Sequence, residues 1–201
     1  MRLMKRIFDI FLSSALLIAL SMPMCIIAIL VRLTSPGPAL YWSNRIGQNN
    51  VTFKMPKFRT MLINTPVVAT HLLSQPDHHL TSIGGFLRRN SFDEFPQLLS
   101  IIKGDMSFVG PRPALFNQND LIDLRNKNGI DKLLPGLTGW AQVNGRDDLS
   151  IPEKVTFELF YMDRKSFLFD LKIERHFLKL SSLDLWVIIT IVALLFFLSG
   201  V

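Results

Sequence analysis

Cysteine is almost missing: Cys25 is the single one among 201 residues, so no disulfide can form within the chain. It lies in an apolar run with no histidine close by, which marks it as a packing residue rather than a nucleophile or metal ligand. Charge is sparse as well. Asp, Glu, Lys and Arg make up 19% of the residues, below the roughly 25% of an average soluble domain. The hydrophobic share is 49% and the mean hydropathy +0.31, which argues against an ordinary soluble protein. Acidic residues are fewer than basic ones, 16 against 22, for a net charge of +6 and a pI of 9.7. Nucleic acid, anionic lipid headgroups or a phosphorylated substrate would each match that excess. The basic residues form no stripe interleaved with aromatics, so a nucleic-acid surface is the weakest of these readings. There is neither an internal repeat nor a low-complexity tract, and the length suits one compact domain with or without membrane segments.

Two apolar segments bracket the chain. Residues 10–31 carry no charge, follow Arg2, Lys5 and Arg6, and precede Arg32. About 20 apolar residues are enough for a helix to cross the hydrocarbon core. A signal peptide is the alternative, but no small-x-small cleavage site follows the run. Pro23 stands near its middle, where it removes a backbone donor and predicts a break or kink. Basic residues at both ends leave the orientation undecided. A re-entrant helix that bends at Pro23 and exits on its entry side satisfies both ends, and is favoured over a kinked single span. The second segment, residues 185–201, is also free of charge. At about 1.5 Å per residue it would reach roughly 25 Å, a marginal crossing length. Lys172, Arg175 and Lys179 before it would hold its start in the cytoplasm, and membrane insertion is the expectation.

A more polar stretch lies between them. Residues 41–58 alternate weakly around Arg45-Ile46-Gly47-Gln48-Asn49-Asn50, the pattern of a β-hairpin with a polar turn. Residues 65–81 read as a loop. His71, His78 and His79 with Asp77 fit no standard zinc spacing, so a solvated loop is expected there. A helix is predicted from about Ser91, with Ser91 and Glu94 spaced as a capping box, Pro96 in the first turn and Gly104 as the stop. Leu134-Pro135-Gly136-Leu137-Thr138-Gly139 reads as a tight turn.

That helix start would place Asp93 and Glu94 at the positive end of the helix dipole, where carboxylates stay ionised. An ionised Asp can attack phosphorus or bind a hard cation such as Mg²⁺. Acidic residues also favour helix starts for stability alone. The surrounding cations shift the balance toward an anion-handling site. Lys57 and Arg59 lie in Lys57-Phe58-Arg59-Thr60-Met61, Arg88-Arg89 immediately precede the helix, and Arg146 ends Gln142-Val143-Asn144-Gly145-Arg146. Arg112 stands between Pro111 and Pro113, on backbone that proline stiffens, and a pre-positioned guanidinium suits bidentate phosphate recognition.

These residues resemble the monotopic phosphoglycosyl transferases, the bacterial sugar transferase family. The likeness runs from Lys5 to about Ile173. It rests on an ordered set of motifs: Lys5-Arg6-Ile7-Phe8-Asp9, Pro23, Ser35-Pro36-Gly37-Pro38, the Lys57 motif, and Ser91-Phe92-Asp93-Glu94-Phe95-Pro96-Gln97. It continues through Lys103-Gly104-Asp105-Met106-Ser107-Phe108-Val109-Gly110-Pro111-Arg112-Pro113, Pro135-Gly136-Leu137-Thr138-Gly139 and the Gln142 motif. Asn50 stands where the family more often has glycine, Phe157-Glu158 where it has Tyr-Asp, and the 185–201 tail lies outside the pattern.

The resemblance implies an α-rich α+β fold. Residues 1–34 would form a re-entrant membrane helix broken at Ser21 and Pro23. Residues 35–180 would form a small cytoplasmic catalytic domain with a short β-hairpin; residues 181–201, outside the resemblance, are expected as a hydrophobic tail and membrane segment from their charge-free run. Residues 115–134 or 151–161 would supply interfacial amphipathic helices. The implied activity moves a sugar 1-phosphate from a UDP-sugar to polyprenyl (undecaprenyl) phosphate, releases UMP, and begins bacterial glycoconjugate assembly. Asp93 would be the nucleophile, with Glu94 beside it as metal ligand or orienting group. Mg²⁺ would be held by Asp93 and Glu94, and the phosphates by Lys57, Arg59, Arg88, Arg112 and Arg146. The bacterial inner membrane, cytoplasmic face, is the implied location, and a homodimer is a further expectation. A silent membrane scaffold and a nucleotide-sugar phosphohydrolase are the alternatives.

Overall fold

Apolar side chains recur at three- and four-residue steps along the N-terminal run, and they form one long helix, α1 (Arg2–Thr34). The computed structural model describes residues 2–68, 75–145 and 148–180. The expectations for His71, Arg146 and the 185–201 tail fall outside them. One stripe of α1 packs on the rest of the chain: Asp9, Ser13, Ile27 and Val31 are buried, and Leu16 and Leu20 pack beside them. The remaining faces are open and apolar, with Leu3, Phe11, Ile18, Met22 and Leu33 70–78% exposed. The helix is continuous through Ser21 and Pro23, which corrects the expected break. Pro23 removes only one rung of the ladder, and the packed turns on both sides hold the helical path. The Ser21 hydroxyl donates to the Ile18 carbonyl at 2.7 Å.

Strands β1 (Leu40–Ile46) and β2 (Thr52–Phe58) form the expected antiparallel hairpin, in register from Leu40 opposite Phe58 to Ile46 opposite Thr52. Its turn places Asn49 at φ 53° and Asn50 at φ 60°. Asparagine tolerates this left-handed region better than most residues, so Asn50 can replace a glycine there. Helix α2 (Gly84–Arg89) follows, then a 3₁₀ turn over Phe92–Gln97 and helix α3 (Leu98–Lys103). A helical segment does begin just after Ser91, but its first turns are 3₁₀, and the predicted capping box is corrected. Ser91 has φ 56° and makes no capping bond, because the Glu94 side chain that would complete the box is drawn to two cations instead. Gly104 ends α3 at φ 98°, as expected.

Strands β3 (Ser107–Val109) and β4 (Gly136–Thr138) pair in parallel, so the segment read as a tight turn contains a strand. The crossing is too close for side chains. A β-carbon on Gly136 would lie 2.1 Å from the Gly110 nitrogen, and one on Gly110 would lie 2.3 Å from the Leu134 carbonyl oxygen. Helices α4 (Asn119–Lys127), α5 (Trp140–Val143), α6 (Ile151–Arg164) and α7 (Phe167–Leu180) complete the described chain. The chain does build a capping box at Ser150 and Glu153, which starts α6. Leu121 of α4 and Val155 of α6 are buried in one cluster with Ala114 and Ile130. Part of the apolar side of each helix thus faces inward, while Phe116 and Phe160 stay exposed.

Two cations tie the start of α1 to the domain. Arg6 donates to the carbonyls of Ile101 at 2.5 Å and Ile102 at 2.6 Å, two acceptors in the last turn of α3. Lys5 donates to the Val109 carbonyl at 3.0 Å and pairs with Asp170 of α7, whose other oxygen accepts from Tyr161 at 2.8 Å. Ile101 is fully buried in the core with Met55, Met106 and Ile173. We expect Ile101→Ala to cost about 2–5 kcal/mol of unfolding free energy, read by denaturant titration in detergent. A loss below about 1 kcal/mol would mean that this cluster is not the principal core.

Candidate active site

The strand alternation of β2 sends Phe53 and Met55 into the core and carries Lys57 along the same side to the 3₁₀ turn. That turn holds Asp93 and Glu94. Lys57 Nζ lies 2.9 Å from Glu94 Oε1, and Arg112 Nη2 reaches the same oxygen at 2.7 Å. Glu94 Oε2 takes part in neither contact. Asp93 is buried, at 6% exposed.

The two neighbouring carboxyls are driven apart. Burial works against ionisation of Glu94, but the cations of Arg112 and Lys57 outweigh it and hold the carboxyl well below the usual carboxylate range. Burial pushes Asp93 upward, the Lys57 cation opposes that rise, and the Glu94 anion adds to it. Arg88, at the end of α2, also acts on Asp93 as a neighbouring positive charge. Burial lowers the Lys57 amine below its ordinary value, against the pull of Glu94.

The structure brings Lys57, Arg88 and Arg112 to the acidic pair, as expected from the sequence. Arg59 is different. It is buried, and its three nitrogens donate to the Pro38 carbonyl at 2.7 Å, the Ser35 hydroxyl at 2.6 Å and the Ser35 carbonyl at 2.9 Å. That commitment fastens the end of β2 to the loop leaving α1, which makes Arg59 a structural tie between them. The sequence pattern places Arg45 only in the hairpin turn. It lies on the side of β1 shared with buried Ser43 and donates to the Ser43 hydroxyl and the Pro113 carbonyl, each at 3.0 Å. Burial and the neighbouring Arg112 lower it to about 10, with Glu94 opposing. The alternation of Ser43 and Arg45 was the signal that could have found it. Four cations therefore face two carboxylates, an excess suited to a multiply charged anion.

Among the described residues, no three His, Cys, Asp or Glu side chains gather as a protein-only metal set. Mg²⁺ does not require one, since it is commonly bound through one or two carboxylates with water and phosphate oxygens. The carboxylates of Asp93 and Glu94 fit that mode.

The family described as bacterial sugar transferase matches residues 1–180. The chain is 40% identical over 184 residues to the UDP-glucose:undecaprenyl-phosphate glucose-1-phosphate transferase of Escherichia coli (strain K12), covering 86% of this chain and 39% of that protein. It is 38% identical over 184 residues to the exopolysaccharide production protein ExoY of Sinorhizobium fredii, covering 84% of this chain and 81% of that one. Against the undecaprenyl-phosphate galactose phosphotransferase of Salmonella typhimurium the identity is 35% over 179 residues, with 80% and 37% covered. The chain thus spans well under half the length of the Escherichia and Salmonella relatives.

The opposed charges around Asp93 can be separated by titration. Lys57→Met removes a cation that favours the anion, so the Asp93 carboxyl should titrate at higher pH than in the parent. Glu94→Gln removes a like charge and should move it lower. Carboxyl ¹³C NMR on both variants checks this, and shifts in the same direction would overturn the electrostatic account.

Proposed function

Since the chain belongs to the bacterial sugar transferase family, we propose that it moves a sugar 1-phosphate from a UDP-sugar to undecaprenyl phosphate and releases UMP. The observation that carries this reading is the buried Asp93 beside a Glu94 neutralised by Lys57 and Arg112. A deprotonated Asp93 oxygen attacks the β-phosphorus and forms an acyl phosphate with the sugar phosphate. The bond from that phosphorus to its bridging oxygen breaks, and the oxygen leaves with UMP. A phosphate oxygen of the lipid then attacks the same phosphorus, the Asp93 carboxylate leaves, and the sugar is joined to the lipid through a diphosphate. Phosphoryl transfer of this kind is promoted mainly by positioning and positive charge, which Lys57, Arg45, Arg88 and Arg112 supply. When bound by Asp93 and Glu94, Mg²⁺ would neutralise charge on the diphosphate.

A lipid acceptor accounts for α1. Its uncovered apolar faces form a patch of the kind that marks membrane contact. Arg6 near one end and Val31 near the other both contact the same domain, so the two ends need not lie on opposite sides of a bilayer. We place this helix in one leaflet, with the domain at the cytoplasmic face of the inner membrane.

UMP release from a panel of UDP-sugars tests the chemistry. We expect product only with undecaprenyl phosphate and Mg²⁺ present, and a fall of at least about 10³-fold in Asp93→Asn, as for loss of a covalent nucleophile. Sustained UMP formation without lipid would show a hydrolase, and none with any donor would leave a scaffold. Topology is tested with Leu3→Cys and Leu33→Cys, each in a Cys25→Ser background. A membrane-impermeant maleimide should label both from the cytoplasmic side only. Labelling from opposite sides would establish a single span.

A further inference from the structure

The loop that presents Arg112 is held through four successive carbonyls. Pro111 O accepts from Gly136 N at 2.9 Å, and Ala114 O accepts from Ile46 N at 2.9 Å. Between them, Arg112 O accepts from Nη2 of Arg125 at 2.9 Å, and Pro113 O accepts from Nη1 of Arg45 at 3.0 Å. Pro111 and Pro113 have no N–H, so carbonyl anchoring is the principal means of fixing this backbone. Arg125 comes from α4 and is 9% exposed, and it meets Glu158 of α6, which is 3% exposed. Nε of Arg125 donates to Glu158 Oε2 at 2.8 Å, and Nη2 also reaches Oε1.

A buried ion pair is weak evidence for stability, because desolvation of both charges offsets their attraction and an apolar replacement is often as stable. What the pair does supply is direction. A planar guanidinium fixed by two carboxylate oxygens can aim its Nη2 at one carbonyl, and that carbonyl belongs to the residue whose side chain reaches Glu94. We propose that the Arg125–Glu158 pair is a positioning device that sets where the Arg112 guanidinium stands against Glu94 and an incoming phosphate. Both are positioning residues, acting through Arg112. The catalytic consequence rests on the transferase reading above, whereas the placement of Arg112 does not.

The test uses the full chain in detergent and compares the parent with Arg125→Lys and with the double variant Arg125→Met/Glu158→Leu. The double variant removes both buried charges and should unfold at or near the parent temperature. Arg125→Lys keeps a cation for Glu158 but loses the fork. In both, the Arg112 guanidinium protons should exchange faster with solvent by ¹⁵N NMR. UMP release should show kcat and kcat/KM falling together by roughly tenfold to a hundredfold, as misplacement of a transition-state contact does. A folded variant with Arg112 exchange unchanged and kcat within about twofold of the parent would overturn the proposal. If the parent itself releases no UMP from any donor, the transferase reading fails, and the exchange comparison still decides whether the pair places Arg112.

Discussion

Glu94 Oε1 receives two cations that arrive from different parts of the chain, Lys57 from β2 and Arg112 from the loop after β3. A carboxylate withdrawn from water needs such partners, because an unpaired buried charge costs several kcal/mol. Removing Glu94 would leave two buried or half-buried cations facing each other; removing either cation would leave the acid short of charge. The hairpin, the 3₁₀ turn and the proline-flanked loop are therefore interdependent. The same arrangement divides the acidic pair. Glu94 takes the positive charge and stays ionised, while Asp93, one residue earlier, is buried with less help and is raised. Two adjacent carboxyls in one turn thus acquire different chemistry from their surroundings alone.

Helix α1 depends on a similar principle at its start. Lys5 and Arg6 lie where topology rules look for cytoplasmic charge, yet both have partners inside the protein: the Val109 carbonyl and Asp170 for Lys5, and the end of α3 for Arg6. Val109 immediately precedes the loop of Arg112, and α3 continues directly from the turn of Asp93. An apolar helix that would otherwise have no fixed relation to the domain is thereby joined to the two segments that carry the site. This gives a physical route by which membrane placement and site geometry are held together.

Much of this was legible from residue types and spacing. The hairpin, the long apolar helix, the stop at Gly104 and the approach of Lys57, Arg88 and Arg112 to the acidic pair follow from alternation, hydrophobic runs and proline or glycine position. The failures share a cause, which is competition for partners that only the fold reveals. Ser91 and Glu94 have capping-box spacing, but two cations offer Glu94 a better partner than a backbone amide. Arg59 resembles the other cations in composition, yet Ser35 and Pro38 occupy its donors. Residues 115–134 and 151–161 have amphipathic patterns, and the pattern alone does not distinguish a membrane from each other's apolar sides. Arg125 is not singled out by the sequence, and Arg45 and Glu158 stand there only as part of the hairpin turn and as a departure from the family pattern, because the partners that give them significance lie far along the chain.

The excess of positive charge completes the argument for an anionic substrate. Arg45 and Arg112 lie close enough to disfavour each other's charge, and burial lowers Arg45 further, to about 10. Such repulsion opposes the folded state, and a protein selected for stability alone would relieve it with another acid. Here the loop is instead fastened through its carbonyls, so that Arg112 stays beside the other cations despite the repulsion. The unbalanced field is then available to any anion that enters. Binding relieves the mutual repulsion of the cations as well as forming new contacts, and both effects favour occupancy. A substrate with several negative phosphate oxygens gains most from this arrangement, and a neutral sugar gains little. The arrangement thus favours a multiply charged anion over a neutral group.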